Sequence, residues 1–239
     1  SVFAHGGHQA PAADFSGKQA SLFVKLDPPV ATSAGEPVFI SARFFDENTN
    51  ENFREVTYRF FFVKDSVEIP IQTIASSGGQ SYGGQGFFYD PDGNVELRIV
   101  PKDTENVIAS GYPEGQFGGI WNNGNPITVE GPLFTEAGLY NLFVEIWTEG
   151  STRTLVDPPL QYDIWVTPGR EEAIAAIDDK EIKVRNYYGA IDDGRYDDVA
   201  KTISFSMPFD WQSDMPTRVG MLHTEVFIPK ELSEFDRQS

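Results

Sequence analysis

Apolar and polar side chains alternate with period two along much of the chain. Leu22, Val24 and Leu26 form one series, and Val38, Ile40, Ala42 and Phe44 a second. Val56, Tyr58, Phe60 and Phe62 follow, then Val95, Leu97 and Ile99. Tyr140, Leu142, Val144 and Ile146 make a fifth series, and Leu160, Tyr162, Ile164 and Val166 a sixth. Successive side chains of a strand point to opposite faces, so each series can line one buried face. Turn-forming clusters punctuate them: Asp27-Pro28-Pro29, Asp46 to Asn50, Asp90-Pro91-Asp92-Gly93-Asn94 and Asp157-Pro158-Pro159. The pattern predicts an all-β Greek-key (immunoglobulin-like) β-sandwich over residues 18–168.

Local features refine this expectation. The run Glu136-Ala137-Gly138-Leu139-Tyr140 is what a tyrosine corner needs, a phenol at the start of a strand bonding back to upstream backbone. Ala75 to Gly86 is rich in Gly and Ser and reads as a loop. Asp103 to Pro126 reads as a second irregular region, carrying Tyr112, Phe117, Trp121 and the amide run Asn122-Asn123-Gly124-Asn125. Aromatics in such loops either cap a sandwich or make contacts.

Outside the sandwich the pattern weakens. Residues 1–17 read as a signal-peptide remnant and flexible tail, and 169–181 as a linker. Residues 182–239 hold three alternating segments, around Ile182, Thr202 to Met207 and Val219 to Ile228. They predict a small β-rich domain, truncated at its end, with a marginal core.

Composition then limits the function. The chain has 239 residues, 40% hydrophobic and 13% aromatic, which is enough for a packed core. Asp and Glu outnumber Lys and Arg 36 to 18, a net charge of −18. Neutralising phosphates needs a positive face, so the balance argues against nucleic acid as a partner. The absence of Cys excludes disulfides and thiolate metal sites. No apolar run is long enough for a transmembrane helix. Val2 and Ala4 fit the small-residue positions of a signal-peptidase cut after Ala4, which points to export. Strong negative charge suits a salty exterior, where self-repulsion is screened.

The candidate chemistry is sparse. Cleavage after Ala4 would make His5 the first residue, and its amine and imidazole, with His8, would offer Cu(II) an all-nitrogen set. Alternation on a strand puts Met221, His223 and Glu225 on one face, opposite Leu222, Val226 and Ile228. There a thioether and an imidazole could supplement the copper. Asp90, Asp92, Asn94 and Glu96 have the spacing of calcium ligands, but Gly93 falls in the wrong place for an EF-hand. Turn chemistry explains them, and Asp46 to Asn50, more simply. No serine-nucleophile, zinc-protease or phosphate-loop motif occurs, which favours binding over catalysis. Trp121, Tyr112 and Asn123 are the candidate ligand-binding residues, flat apolar faces beside an amide as a sugar would need. Trp147 and Trp165 face away from the core series, either as a platform or packed against the second domain.

Three segments carry a resemblance. They are Phe87-Phe88-Tyr89-Asp90-Pro91-Asp92-Gly93-Asn94, Val129 to Tyr140, and Thr202-Ile203-Ser204-Phe205-Ser206-Met207-Pro208-Phe209-Asp210-Trp211. From near Asp27 to about Lys230 the chain resembles exported β-rich proteins of ammonia-oxidising archaea, for which no activity is assigned. The resemblance implies an extracytoplasmic location and a longer C-terminal part. Together these readings predict an exported, non-enzymatic β-sandwich protein with a binding or structural role at the cell exterior, its partners other cell-surface proteins or glycans. The alternatives are a copper-binding protein and a carbohydrate-binding module.

Overall fold

The computed structural model describes residues 7–28, 30–31, 36–77, 80–115, 117–135, 138–177, 179–187, 190–207 and 224–230. Among them every regular element is a strand. The chain begins with β1 (Gly7–Gln9), β2 (Ala13–Phe15), β3 (Lys18–Asp27), β4 (Val30–Ala31) and β5 (Val38–Asp46). It continues with β6 (Val56–Lys64), β7 (Val67–Ser77), β8 (Gln80–Gln85), β9 (Phe87–Asp90) and β10 (Asn94–Pro101). Next come β11 (Val107–Pro113), β12 (Ile120–Trp121), β13 (Ile127–Gly131), β14 (Tyr140–Glu149) and β15 (Thr154–Val166). The last are β16 (Gly169–Ile177), β17 (Lys180–Asn186), β18 (Asp192–Asp197), β19 (Thr202–Ser206) and β20 (Thr224–Phe227).

One large mixed sheet runs β1-β3-β5-β10-β13-β11-β12-β9-β6-β14-β15, with β2, β7 and β8 joined beside that path. It curls so that its two ends meet across a common core. Tyr162 on β15 donates its hydroxyl to the carbonyl of Ala20 on β3 at 3.0 Å, and its ring meets Phe44 edge-on at 6.1 Å. The alternating series supply that core: all their members are buried except Leu160, which packs against it half-covered. Not every pairing is antiparallel, since β10–β13, β7–β11 and β9–β12 are parallel.

Four segments depart from the sequence reading. The expected N-terminal tail is bound to the sheet from Gly7 onward, because Ala10 and Phe15 are buried. Ala10 also donates its N–H to Leu22 at 2.8 Å, and the Ser21 hydroxyl donates to the Ala10 carbonyl at 2.7 Å. The Gly/Ser-rich stretch is the β7–β8 hairpin. Small residues are needed there for close backbone approach: a Cβ on Gly84 would lie 2.2 Å from the Gly118 carbonyl oxygen. The region 103–126 contains β11, β12 and the turn between them. The expected linker is β16, paired with both β17 and β4. Its Glu-Glu-Ala-Ile-Ala-Ala-Ile sequence hides the alternation, and a bulge between Ala173 and Ala175 shifts its register.

The strands beyond Gly169 form two smaller sheets, β20-β17-β16-β4, which takes in β4 from the N-terminal part, and β18-β19. Ile182 and Val184 are buried as expected, but Val226 is exposed on edge strand β20.

Candidate ligand-binding face

The register of the strands decides which side chains share a face. Ile120, Phe88 and Tyr58 form one cross-strand row and are buried. In the neighbouring row, Tyr112, Trp121, Tyr89 and Thr57, the Tyr112 and Trp121 end is open to solvent while Tyr89 and Thr57 are buried. Tyr112 and Trp121 lie directly opposite each other on β11 and β12, 65% and 48% exposed. Two positions separated in sequence thus become one aromatic pair. Asn123, the third predicted ligand residue, is exposed two positions past Trp121, and its side-chain oxygen accepts from the backbone and amide of Asn125.

The inner side of the same segment explains why the pair is held in place. Asn122 is buried and works as an anchor. Its backbone N–H donates to Tyr89 at 2.8 Å, and its side-chain amide donates to the Asn94 carbonyl at 2.9 Å and to Asp90 Oδ1 at 3.3 Å. Its own side-chain oxygen accepts from Gly124. Asp90 is fully buried at the end of β9, and Oδ1 also accepts from the Asp92 N–H at 3.1 Å. Asp90 Oδ2 and the Tyr58 hydroxyl are both buried without a hydrogen-bond partner. Burial pushes the Asp90 carboxyl up to about 6, against the pull of the Asp92 and Asn94 N–H groups. Burial and the nearby Asp90 raise the Tyr58 phenol.

Beside the pair, the Arg153 guanidinium stacks on the Tyr89 ring at 4.0 Å and bonds the buried Glu114 carboxylate and carbonyl. One step further along the strands, the outward row is Phe87, Arg59, Glu145 and Gln161. Arg59 meets Glu145 at 3.1 Å, and Glu145 accepts from Trp147 Nε1 at 2.8 Å. Trp147 packs edge-on to Phe87 at 5.4 Å and beside Phe117 at 5.8 Å. The next row places Phe61 and Phe143 in a parallel stack at 4.9 Å, with Arg59 over Phe61 at 4.7 Å. Trp147 thus packs on aromatics of the large sheet rather than on the C-terminal sheets. Trp165 is half-buried and lines, with His8, Val24 and Leu26, a crevice of about 20 Å³.

The acidic turns are turns first. Asp90 Oδ1 caps Asp92, and Asp46 Oδ1 accepts from the Asn48 N–H at 2.9 Å, the same closure in both. Gly93 has φ +78°, and a Cβ there would lie 2.3 Å from the Phe53 carbonyl oxygen. Asp92, Asn94 and Glu96 line an open groove of about 410 Å³ with Phe23 and Arg43, while Asp90 turns inward. His8 sits on β1 opposite Val24, half-buried. His5, Met221 and His223 lie outside the described residues. Among the described residues, no three His, Cys, Asp or Glu side chains are grouped to hold a metal ion.

Sequence reasoning singled out Phe117 among the loop aromatics but missed Phe61, Phe87 and Phe143, which lie half-buried on the outer face. The signal was present as aromatic residues at the polar phase of the alternation. No protein-family model, curated protein or solved structure matches this chain.

Proposed function

We propose that this protein is an exported, non-enzymatic binding module that holds carbohydrate on the Tyr112–Trp121 pair. The observation that carries the reading is the exposure of two large aromatics directly opposed on a paired backbone, with an amide turn adjoining them. A soluble protein leaves such rings uncovered at a cost, since burying them would remove much apolar area from water. Sugar rings present C–H faces that stack on aromatics and hydroxyls that amides can bond. Greek-key, immunoglobulin-like topology is part of the proposal and rests on the six alternating series and the curled sheet. Export rests on the resemblance to exported archaeal proteins and on the net charge of −18.

The test is a glycan array probed with the wild-type chain and with Trp121→Ala. Signal on neutral glycans that the substitution removes is the expected result. A blank array, or one on which the variant behaves like the wild type, overturns the reading.

A further inference from the structure

Two rims of the large sheet face each other without pairing. β15 ends the sheet on one side and, among the described residues, pairs with β14 alone. The β2–β3 hairpin lies on the other side. The curl of the sheet brings these rims together, and two hydrogen bonds tie the seam. The Ser16 hydroxyl donates to Glu149 Oε2 at 2.7 Å near the start of β15, and the Tyr162 hydroxyl donates to the Ala20 carbonyl further along. Between the ties lies an open groove of about 450 Å³, walled by Leu155 to Gln161 on one side and Asp14 to Ser16 on the other. That volume is in the range of specific ligand sites.

The apolar part of the lining is Phe15, Leu155, Val156, Pro158, Pro159 and Leu160. Leu155 is 59% exposed, a large side chain left in water. β15 bulges here, spending Val156 to Pro159 where β14 spends Trp147 alone. Pro158 and Pro159 carry carbonyls but no N–H, so this wall is richer in acceptors than in donors. Asp14 and Glu149 also line the groove, and Asp157 is exposed on the bulge. Glu149 is met by a neutral hydroxyl, which leaves its charge uncompensated. Among the described residues no Lys or Arg lines the groove, and Lys18 of the hairpin is turned over the Phe53 ring at 5.5 Å.

These features select the occupant. A second copy of the chain, at −18, is repelled. A purely apolar or anionic ligand leaves the carboxylates unanswered. An extended segment of alternating apolar and basic residues answers both demands, because period two sends one set of side chains into the groove and the other to its acidic rim. Its main-chain N–H groups then meet the acceptor-rich wall. We infer that the groove between the β2–β3 hairpin and the bulge of β15 docks an extended basic and apolar peptide segment of a partner protein. This surface is separate from the Tyr112–Trp121 pair, which lies on β11 and β12 in the middle of the sheet order.

Fluorescence anisotropy with a labelled, end-capped octapeptide of alternating Leu and Lys tests this. The peptide is expected to bind the wild-type chain, and its Ser–Lys and Leu–Ser counterparts at least about tenfold more weakly. Leu155→Ser is expected to weaken binding about tenfold, as one apolar side chain loses its contact. Asp14→Asn combined with Glu149→Gln is expected to weaken it about tenfold at low salt and less at high salt. Asp192→Asn combined with Asp193→Asn removes as much charge from exposed positions on β18 and should change affinity less than about twofold. Asp14→Asn alone leaves the Ser16–Glu149 bond in place and should weaken binding about threefold. Thermal melts within a few degrees of wild type exclude misfolding of the variants. A Ser–Lys peptide that binds as tightly as the Leu–Lys peptide reports attraction by net charge and overturns the groove. Unchanged affinity in Leu155→Ser or in the Asp14 and Glu149 double variant overturns it as well, as does the absence of binding up to about 1 mM peptide.

Discussion

Around Phe44, Phe60, Phe62 and Phe88 the large sheet buries ring against ring. Phe60 meets Phe88 edge-on at 5.5 Å, and Phe62 meets Phe134 at 5.6 Å. Beyond Gly169 the buried apolar side chains among the described residues are Ile182, Val184, Tyr187 and Ile191. What replaces them is charge. Arg185 pairs with Glu171 at 3.1 Å and with Glu225 at 3.0 Å, and stacks on Phe227 at 4.8 Å. Lys183 reaches Glu171 at 3.3 Å and Glu181 at 3.5 Å. Apolar burial contributes stability in proportion to area and resists salt, whereas exposed ion pairs contribute little and are screened. The large sheet is therefore the more strongly packed support for its outer aromatic face, and the smaller sheets are a weaker unit, one of which takes in β4, the strand that follows β3 along the chain.

The sharpest way to break this comparison is to remove one ring from the core. Phe88→Ala is expected to lower the unfolding free energy by about 3–5 kcal/mol, the usual cost of emptying an aromatic site. Urea titration followed by Trp fluorescence measures it. A loss under about 1 kcal/mol would show that the core collapses around the gap, contrary to a tightly packed interior.

Asp90 tests the same scaffold from its polar end. Its folded carboxyl stands at about 6 against an ordinary 3.8, so between those values the native state holds a proton that the unfolded chain has released. Stability from this group is full below about pH 4 and declines as pH rises to about 6. The loss at neutral pH is about 2–3 kcal/mol. Asp90→Asn keeps an acceptor for Asp92 and Asn122 but carries no charge. It is expected to remove this segment of the pH profile and to stabilise the protein at pH 7 by about 2 kcal/mol. Denaturation midpoints from pH 4 to 8 decide the matter, and a variant whose profile still falls across that window contradicts the assignment.

Smaller effects are expected in the C-terminal sheets. Arg185→Ala should cost about 1 kcal/mol, because its pairs are partly exposed. Hydrogen exchange should quicken in β16 and β17 while β6 and β14 stay protected. Uniform loss of protection across both parts would mean that they unfold as one unit.

The chain made the buried half of the fold readable and the outer half less so. Val56, Tyr58, Phe60 and Phe62 mark their strand because burial forces a strict period of two. β16 could not be read this way, because Ala and Glu suit a helix as well and its pairing with β17 and β4 makes it a strand. The hairpin of β7 and β8 was hidden for the opposite reason, since main-chain approach rather than side-chain burial selects Gly84. At the candidate site, Tyr112 and Trp121 could be named individually as exposed rings. Their facing each other depends on the β11–β12 register, which no local pattern encodes. Asn122 looked like one amide among three, and only its bonds to Asp90 and Asn94 distinguish it as the anchor.

The smallest expected change in stability is the one that bears most on function. Trp121 and Tyr112 are exposed and rest on a backbone fixed by Asn122 and by the buried Ile120. Trp121→Ala and Tyr112→Ala should each alter the unfolding free energy by no more than about 0.5 kcal/mol, as for ordinary surface positions. Asn122→Ala should cost about 1–3 kcal/mol, because it leaves Asp90 and the Asn94 carbonyl without their buried donor. Thermal and urea unfolding of the three variants side by side measures the contrast. If removing Trp121 destabilised the protein as much as removing Asn122, the ring would be part of the packing that closes this end of the sheet. Its exposure would then no longer speak for a ligand. A neutral Trp121→Ala with a costly Asn122→Ala places the support on the inner face and leaves the outer ring available for binding.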